Sequence, residues 1–171
     1  MQLDETTFCA TDAINECFDI FSTTAASKNQ KLLLDVPDMP LYLRADRQFF
    51  CQMLLNLLGN ASKFSPEGSM ITVTMSVDPA QGLTLGIKDE GIGIAEDQIK
   101  LVSQPFVQVE AAMNRNYHGV GLGLTLVSSM IELHGGSLEI ESQEGKSTEV
   151  TLTFPASRIA HEPEFATAMI H

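Results

Sequence analysis

The sequence predicts an α+β fold, and two patterns carry that expectation. Apolar residues recur at three- and four-residue spacing in three stretches, and they alternate with polar ones in two pairs of stretches joined by short turns. Helical and alternating stretches follow one another without a regular strand–helix–strand rhythm. At 171 residues the chain suits one domain, which at that size buries about 70% of its unfolded surface. The domain is expected to span residues 1–155, with a loose tail over 156–171.

Each element has its own signal. Over residues 8–27, Phe8, Ile14, Phe18, Phe21 and Ala25 fall on one helical face. "KLLLDV" (31–36) reads as a strand, closed by Pro37 and Pro40. Asp46 is a candidate N-cap for a second helix running to about Phe64, where "SPEG" ends it. "MITVTMSV" and "LTLGIKD", separated by "PAQG", form an antiparallel pair. "EGIGIAEDQIKLV" is a glycine turn leading into a short helix, and residues 104–120 have no periodicity. A loop of that length in a compact domain is usually functional. "GLGLTLVSSMIELHGG" is a helix with glycines at both ends, and "SLEIES" with "TEVTLTF" closes the domain as a hairpin.

Composition sets limits. A net charge of −12 argues against a nucleic-acid partner or contact with an anionic membrane, where a basic surface supplies the affinity. No run approaches the roughly 20 apolar residues that span a bilayer. Cys9, Cys17 and Cys51 lack metal-ligand or redox spacing and sit among apolar residues, as small core side chains in a reducing, cytoplasmic setting do.

The second helix carries an anomaly. Within "NLLGNASKF" (56–64) two asparagines and a lysine interrupt an apolar run. At 100° per residue Asn56, Asn60 and Lys63 lie within roughly 60° of one another, with Gln52 on the same stripe. Met53, Leu54, Leu57, Leu58 and Ala61 occupy the other side. The stripe either faces solvent or lines a pocket. An asparagine carbonyl is a neutral, hard oxygen of the kind Mg²⁺ accepts, and a lysine one turn on can meet a phosphate.

Two further segments suit such a pocket. Asp89 ends a strand before "EGIGI"; its carboxylate can accept from an exocyclic amine, and Gly91 and Gly93 let a flat ring approach the backbone. Alone, this is also an ordinary Asp/Gly turn. "GVGLGL" (119–124) opens a helix whose exposed N–H groups favour phosphate. Better-known phosphate motifs fail: the dinucleotide fingerprint lacks its third glycine, and "EGKS" (144–147) joins two strands instead of opening a helix.

The order of these segments resembles the ATP-binding domain of sensor histidine kinases, in the superfamily shared with gyrase, heat-shock chaperone ATPases and MutL-type repair proteins. The likeness covers about residues 1–155, and "SQPFVQVEAAMNRNYHGVGLGL" is most similar to the alphaproteobacterial PleC/DivJ cell-cycle kinases. The resemblance implies a two-layer α/β sandwich of the Bergerat type, with a mixed, mostly antiparallel sheet and helices on one face. It implies ATP and Mg²⁺ as ligands and assigns roles by position. Asn56 and Asn60 match the N box, with Asn60 the Mg²⁺ ligand, and Lys63 its phosphate-facing lysine. Asp89, Gly91 and Gly93 match the first glycine box, where the aspartate reads the adenine amine. Phe106 matches the F box. The second glycine box, Gly119, Val120, Gly121, Leu122, Gly123 and Leu124, lies beneath the phosphates, and residues 104–120 form a lid. Arg115, with Asn114 and Asn116, either touches phosphate from that lid or is a solvated loop arginine.

Three departures matter. Val120 stands where threonine is common, which implies a modest weakening of nucleotide binding. Asn56 is an amide where chaperone and gyrase ATPases use an acid to activate water, so transfer fits better than hydrolysis. No phosphoacceptor context surrounds His118, His134, His161 or His171; His134 reads as a helix-terminus residue. The chain is therefore expected to be one part of a larger kinase. It would work with a dimerisation and phosphoacceptor domain and a response regulator, with membrane attachment of the parent left open. The alternatives are a degenerate kinase-like module acting through protein contacts and a serine kinase of the anti-sigma type.

Overall fold

Alternating burial begins earlier than the helical pattern suggests. In the computed structural model, which describes residues 2–91, 118–143 and 145–162 (the backbone alone for 118–122), Glu5–Cys9 is a strand, β1. Phe8, expected on the first helix, lies in β1 opposite Leu43. Cross-strand pairing outweighs its helical spacing there, and α1 runs from Ala10 to Ser27 with Ala10, Ile14, Phe21 and Ala25 buried. Its partner β3, Tyr42–Asp46, was not expected at all. Between them lies β2, Lys31–Asp35.

Asp46 caps α2, Arg47–Lys63: the Phe49 N–H donates to Asp46 Oδ1 at 3.1 Å. The remaining elements are β4 (Met70–Asp78), β5 (Gly82–Asp89), α3 (His118–Leu133), β6 (Ser137–Gln143), β7 (Ser147–Phe154), a 3₁₀ turn at Ala156–Arg158 and β8 (Ile159–Ala160). The β4–β5 and β6–β7 hairpins form as the alternation predicts. Of "EGKS", Gly145 and Lys146 form the β6–β7 turn, where Gly145 takes φ +80°, and Ser147 begins β7.

The larger sheet has the order β2-β4-β5-β7-β6 and is antiparallel except where β2 lies parallel to β4. Ile71, Val73, Leu83, Leu85, Ile87 and Leu152 are buried on one face, and Thr74 and Lys88 are exposed on the other. α1, α2 and α3 share the core with that buried face, which makes the two-layer arrangement. A second sheet, β1-β3-β8, sits beside it.

β8 corrects the expectation of a tail that is loose from residue 156. Its two residues pair with Tyr42 and Leu43, and Arg158 bonds Glu5 Oε1, the Arg44 carbonyl (2.8 Å) and the His134 carbonyl (2.5 Å). The backbone of 159–160 and the Arg158 side chain thus find partners in the domain. Cys9, Cys17 and Cys51 are free thiols, Cys17 in the core and the other two half-buried. No helix among the described residues is long and apolar enough to cross a membrane.

Candidate functional site

Helix α2 is built to hold its polar stripe still. Phe50, Met53, Leu54, Leu57, Leu58 and Ala61 are buried, so the helix cannot rotate without exposing them. Asn56 and Asn60 are half-buried, while Gln52 and Lys63 are exposed. The C-terminal carbonyls that a helix leaves unbonded are met from the turn before β2. Lys28 Nζ donates to the Ser62 carbonyl, and Gln30 Nε2 donates to the carbonyls of Ser62 (3.1 Å), Ser65 (3.2 Å) and Pro66 (3.4 Å). Ser62 Oγ donates back to Gln30 Oε1 at 2.5 Å.

Asn60 meets the glycine-rich helix directly. A Cβ on Gly123 would lie 2.7 Å from Asn60 Nδ2, so glycine is what lets α3 approach this amide. Asn60 Nδ2 is buried and has no hydrogen-bond partner. A buried amide group left unbonded is destabilising on its own account, and in native proteins it is uncommon enough to require an explanation.

The end of β5 meets the end of α2 at Gly91. The Gly91 N–H donates to Asp89 Oδ1 at 2.8 Å. A Cβ there would fall 2.6 Å from that oxygen and 2.6 Å from the Phe64 carbonyl oxygen. Asp89 is 8% exposed. Burial pushes its carboxyl up to about 6, against the smaller opposing pull of the Gly91 N–H and of the nearby Ser65 hydroxyl. Ser65 Oγ makes no hydrogen bond of proper geometry, so its pull is the weaker of those two.

Lys63, Phe64, Ser65, Pro66, Glu90 and Gly91 line one cleft of about 550 Å³, within the roughly 300–1,000 Å³ typical of small-molecule sites. The Lys63 ammonium sits 5.4 Å from the centre of the Phe64 ring. The Lys63 cation, the helix-end residues Phe64 and Ser65, the Glu90 carboxylate and the bare Gly91 backbone therefore converge, with Asp89 held to the Gly91 N–H. Such a set can hold a flat ring with an exocyclic donor at one end and an anion at the other.

Of the expected residues that are described, Lys63 and Gly91 line this cleft, whereas Asn60 lies against Gly123 and Asp89 bonds Gly91 without being part of the lining. Asn56, one turn before Asn60, lines a separate groove of about 740 Å³ with Asp4, Arg47 and Cys51. Gly119, Val120, Gly121 and Leu122 belong to the first turns of α3 by their backbone. Leu124 is 2% exposed and faces the core, so any ligand contact from it runs through the main chain. Gly93, Phe106, Asn114, Arg115 and Asn116 lie outside the described residues. His134 is 1% exposed with both ring nitrogens engaged, as a structural residue is.

Two contributors were not legible in the sequence. Gln30 sits in a polar turn, and nothing in "KNQ" marks it as a brace for α2. Ser65 reads only as part of a helix-ending "SPEG".

Comparison with known proteins agrees with this geometry. Residues 45–158 match the family described as histidine kinase-, DNA gyrase B- and HSP90-like ATPase. A sensor-like histidine kinase of Rhizobium meliloti is 40% identical over 87% of this chain and 28% of its own length. The histidine protein kinase DivJ of Caulobacter vibrioides is 33% identical over 90% of the chain and 26% of its own. Full-length ShkA, solved in complex with AMPPNP, superposes with TM-score 0.77 at 25% identity, covering 95% of this chain and 32% of that one. The chain thus spans between about a quarter and a third of the length of these three proteins.

Proposed function

The chain belongs to the histidine kinase-, DNA gyrase B- and HSP90-like ATPase family, and from that premise we propose that it is the ATP-binding catalytic part of a sensor histidine kinase. The observation that supports this most is the buried, unbonded amide of Asn60 against Gly123, one turn from Lys63, whose cleft also contains Gly91 beside Asp89. Each segment is weak by itself. Together they are specific: Asn60 lies against Gly123, Lys63 and Gly91 line one cleft, and Asp89 bonds the Gly91 N–H.

In this reading the chain's residues bind and orient. Asp89 accepts from the exocyclic amine of adenine, and the bare Gly91 backbone admits the ring. Lys63 meets phosphate. The N-terminal N–H groups of α3, across Gly119, Gly121 and Gly123, face the anionic end. Asn56 is an amide and cannot serve as a general base for water, which favours transfer over hydrolysis.

Mg²⁺ fits the same residues. Asn60 offers a neutral oxygen on an amide whose nitrogen has no competing partner. The ion would supply charge neutralisation across the phosphate oxygens, and Asn60 would hold it. The phosphoryl group passes to a histidine on a separate dimerisation domain, from which a response regulator takes it, in the cytoplasm.

The test is transfer of label from γ-labelled ATP to a separately supplied acceptor-helix domain. Acid-labile, base-stable label on the acceptor, absent when Asn60→Ala replaces the wild type, is the expected result. Label on serine, or ATP binding without transfer to any acceptor histidine, would overturn the histidine-kinase assignment.

A further inference from the structure

Among the described residues two buried side-chain polar atoms lack a hydrogen-bond partner, Asn60 Nδ2 and Ser65 Oγ. The metal–phosphate end of the site explains the first. The second has no role in the mechanism above.

Ser65 is 5% exposed and lines the cleft two residues after Lys63. Its main chain is already satisfied from the core side: its N–H donates to the Ser62 carbonyl at 3.4 Å, and its carbonyl accepts from Gln30. The hydroxyl is left over, beside the Asp89 carboxyl. A structural role would give it a bond it does not have, and an alanine would fill the same space without burying an unbonded group. The other hydroxyl near Asp89 is engaged. Thr148 faces Asp89 across the β5–β7 register, but its Oγ1 lies 3.0 Å from Ser142 Oγ.

An acceptor-only carboxylate next to a free hydroxyl donor forms a two-point pattern. A 6-aminopurine presents its complement, the N6–H donor beside the N1 acceptor. A 6-oxopurine presents the reverse, an O6 acceptor beside an N1–H donor, and sets O6 against the carboxylate. Sites built to hydrogen-bond a ligand group reject analogues that lack it more sharply than apolar pockets reject a change in size.

We propose that Ser65 is a specificity-determining residue of the nucleotide cleft: its hydroxyl donates to ring nitrogen N1 of a 6-aminopurine, across at most one water, while Asp89 accepts from the exocyclic amine. The proposal deepens the ATP-binding reading and rests on it.

The experiment is a functional-group cycle, with ATP and 1-deaza-ATP (a C–H in place of N1) titrated calorimetrically into wild type, Ser65→Ala and Ser65→Thr. The wild type is expected to prefer ATP by about tenfold, the order of one neutral hydrogen bond. Ser65→Ala should lose about tenfold for ATP and less than twofold for 1-deaza-ATP, erasing the preference, while Ser65→Thr, which keeps a hydroxyl, retains it. Equal losses for both nucleotides would make Ser65 structural and sink the proposal, as would unchanged ATP affinity in Ser65→Ala. A wild type that binds neither nucleotide would instead overturn the ATP reading beneath it. A wild type that binds both equally would leave the ATP reading standing and end this one.

Discussion

The two ends of α2 treat buried polar groups in opposite ways. At the N-terminal end every one is matched. Asp46 accepts from the Phe49 N–H and, through Oδ2, from the Asp4 N–H at 2.9 Å. Its own N–H donates to His134 Nε2 at 3.1 Å, and His134 Nδ1 lies 2.8 Å from the Met130 carbonyl, which fixes the proton on Nδ1. Arg158 bonds the His134 carbonyl from outside. At the C-terminal end Asn60 Nδ2 and Ser65 Oγ are buried and unbonded, and Asp89 is buried at the cost of a raised pKa. The first cluster is closed by the protein's own groups, and the second leaves polar atoms of the kind a ligand would satisfy. Burial and polarity are alike in both; what separates them is whether the protein supplies the partners.

The comparison breaks most sharply at Asn60. Asn60→Ala is expected to reduce Mg²⁺-dependent ATP binding at least a hundredfold while leaving the melting temperature unchanged or slightly higher, because the group removed was unbonded. Calorimetry with and without Mg²⁺, beside a thermal melt, measures both. A large loss of stability, or unchanged Mg·ATP affinity, would mean that the amide belongs with the satisfied cluster.

The opposite split is expected at His134. His134→Ala leaves a cavity and strands the Asp46 N–H, which should cost about 2–4 kcal/mol of unfolding free energy. ATP affinity of the folded fraction should stay within twofold. Urea denaturation followed by nucleotide titration of the same sample checks this. Lost affinity at full stability would contradict the division.

Acidification supplies the smallest and most discriminating contrast. Asp89 is raised from 3.8 to about 6 by burial. Its protonated form suits the empty folded state, so its contribution to stability is present below pH 3.8 and disappears as pH rises through about 6. His134 is held below its ordinary value of 6.5, chiefly by burial, with the Arg158 charge adding to that and the bond to Met130 opposing it. Its contribution is present above pH 6.5 and is lost as pH falls through the folded value. For binding, only the ionised Asp89 offers both acceptor oxygens. ATP affinity should therefore drop about fourfold between pH 7.5 and 5.5, as the ionised fraction falls from nearly all to about a quarter. The same titration of Asp89→Asn removes the contribution of the phosphate's own protonation. A variant as pH-sensitive as the wild type would dissociate the carboxyl from the base.

Much of this was readable along the chain. The helical spacing around Met53 to Ala61, the Asp46 cap and the two alternating hairpins each depend on neighbours a few residues apart, and periodicity reports such neighbours faithfully. The stripe of Asn56, Asn60 and Lys63 was likewise visible, because helical geometry alone sets it. Tertiary structure decided the rest. Phe8 and Ile159 sit in strands because Leu43 and its neighbours lie beside them, a pairing between distant segments that no local pattern encodes. Only the folded chain sends Asn60 and Asn56 into different surroundings, one against Gly123 and the other onto a separate groove. And Ser65, a turn residue by its sequence, became a candidate reader of the base because folding satisfied its backbone through Gln30 and left its hydroxyl with nothing to bond.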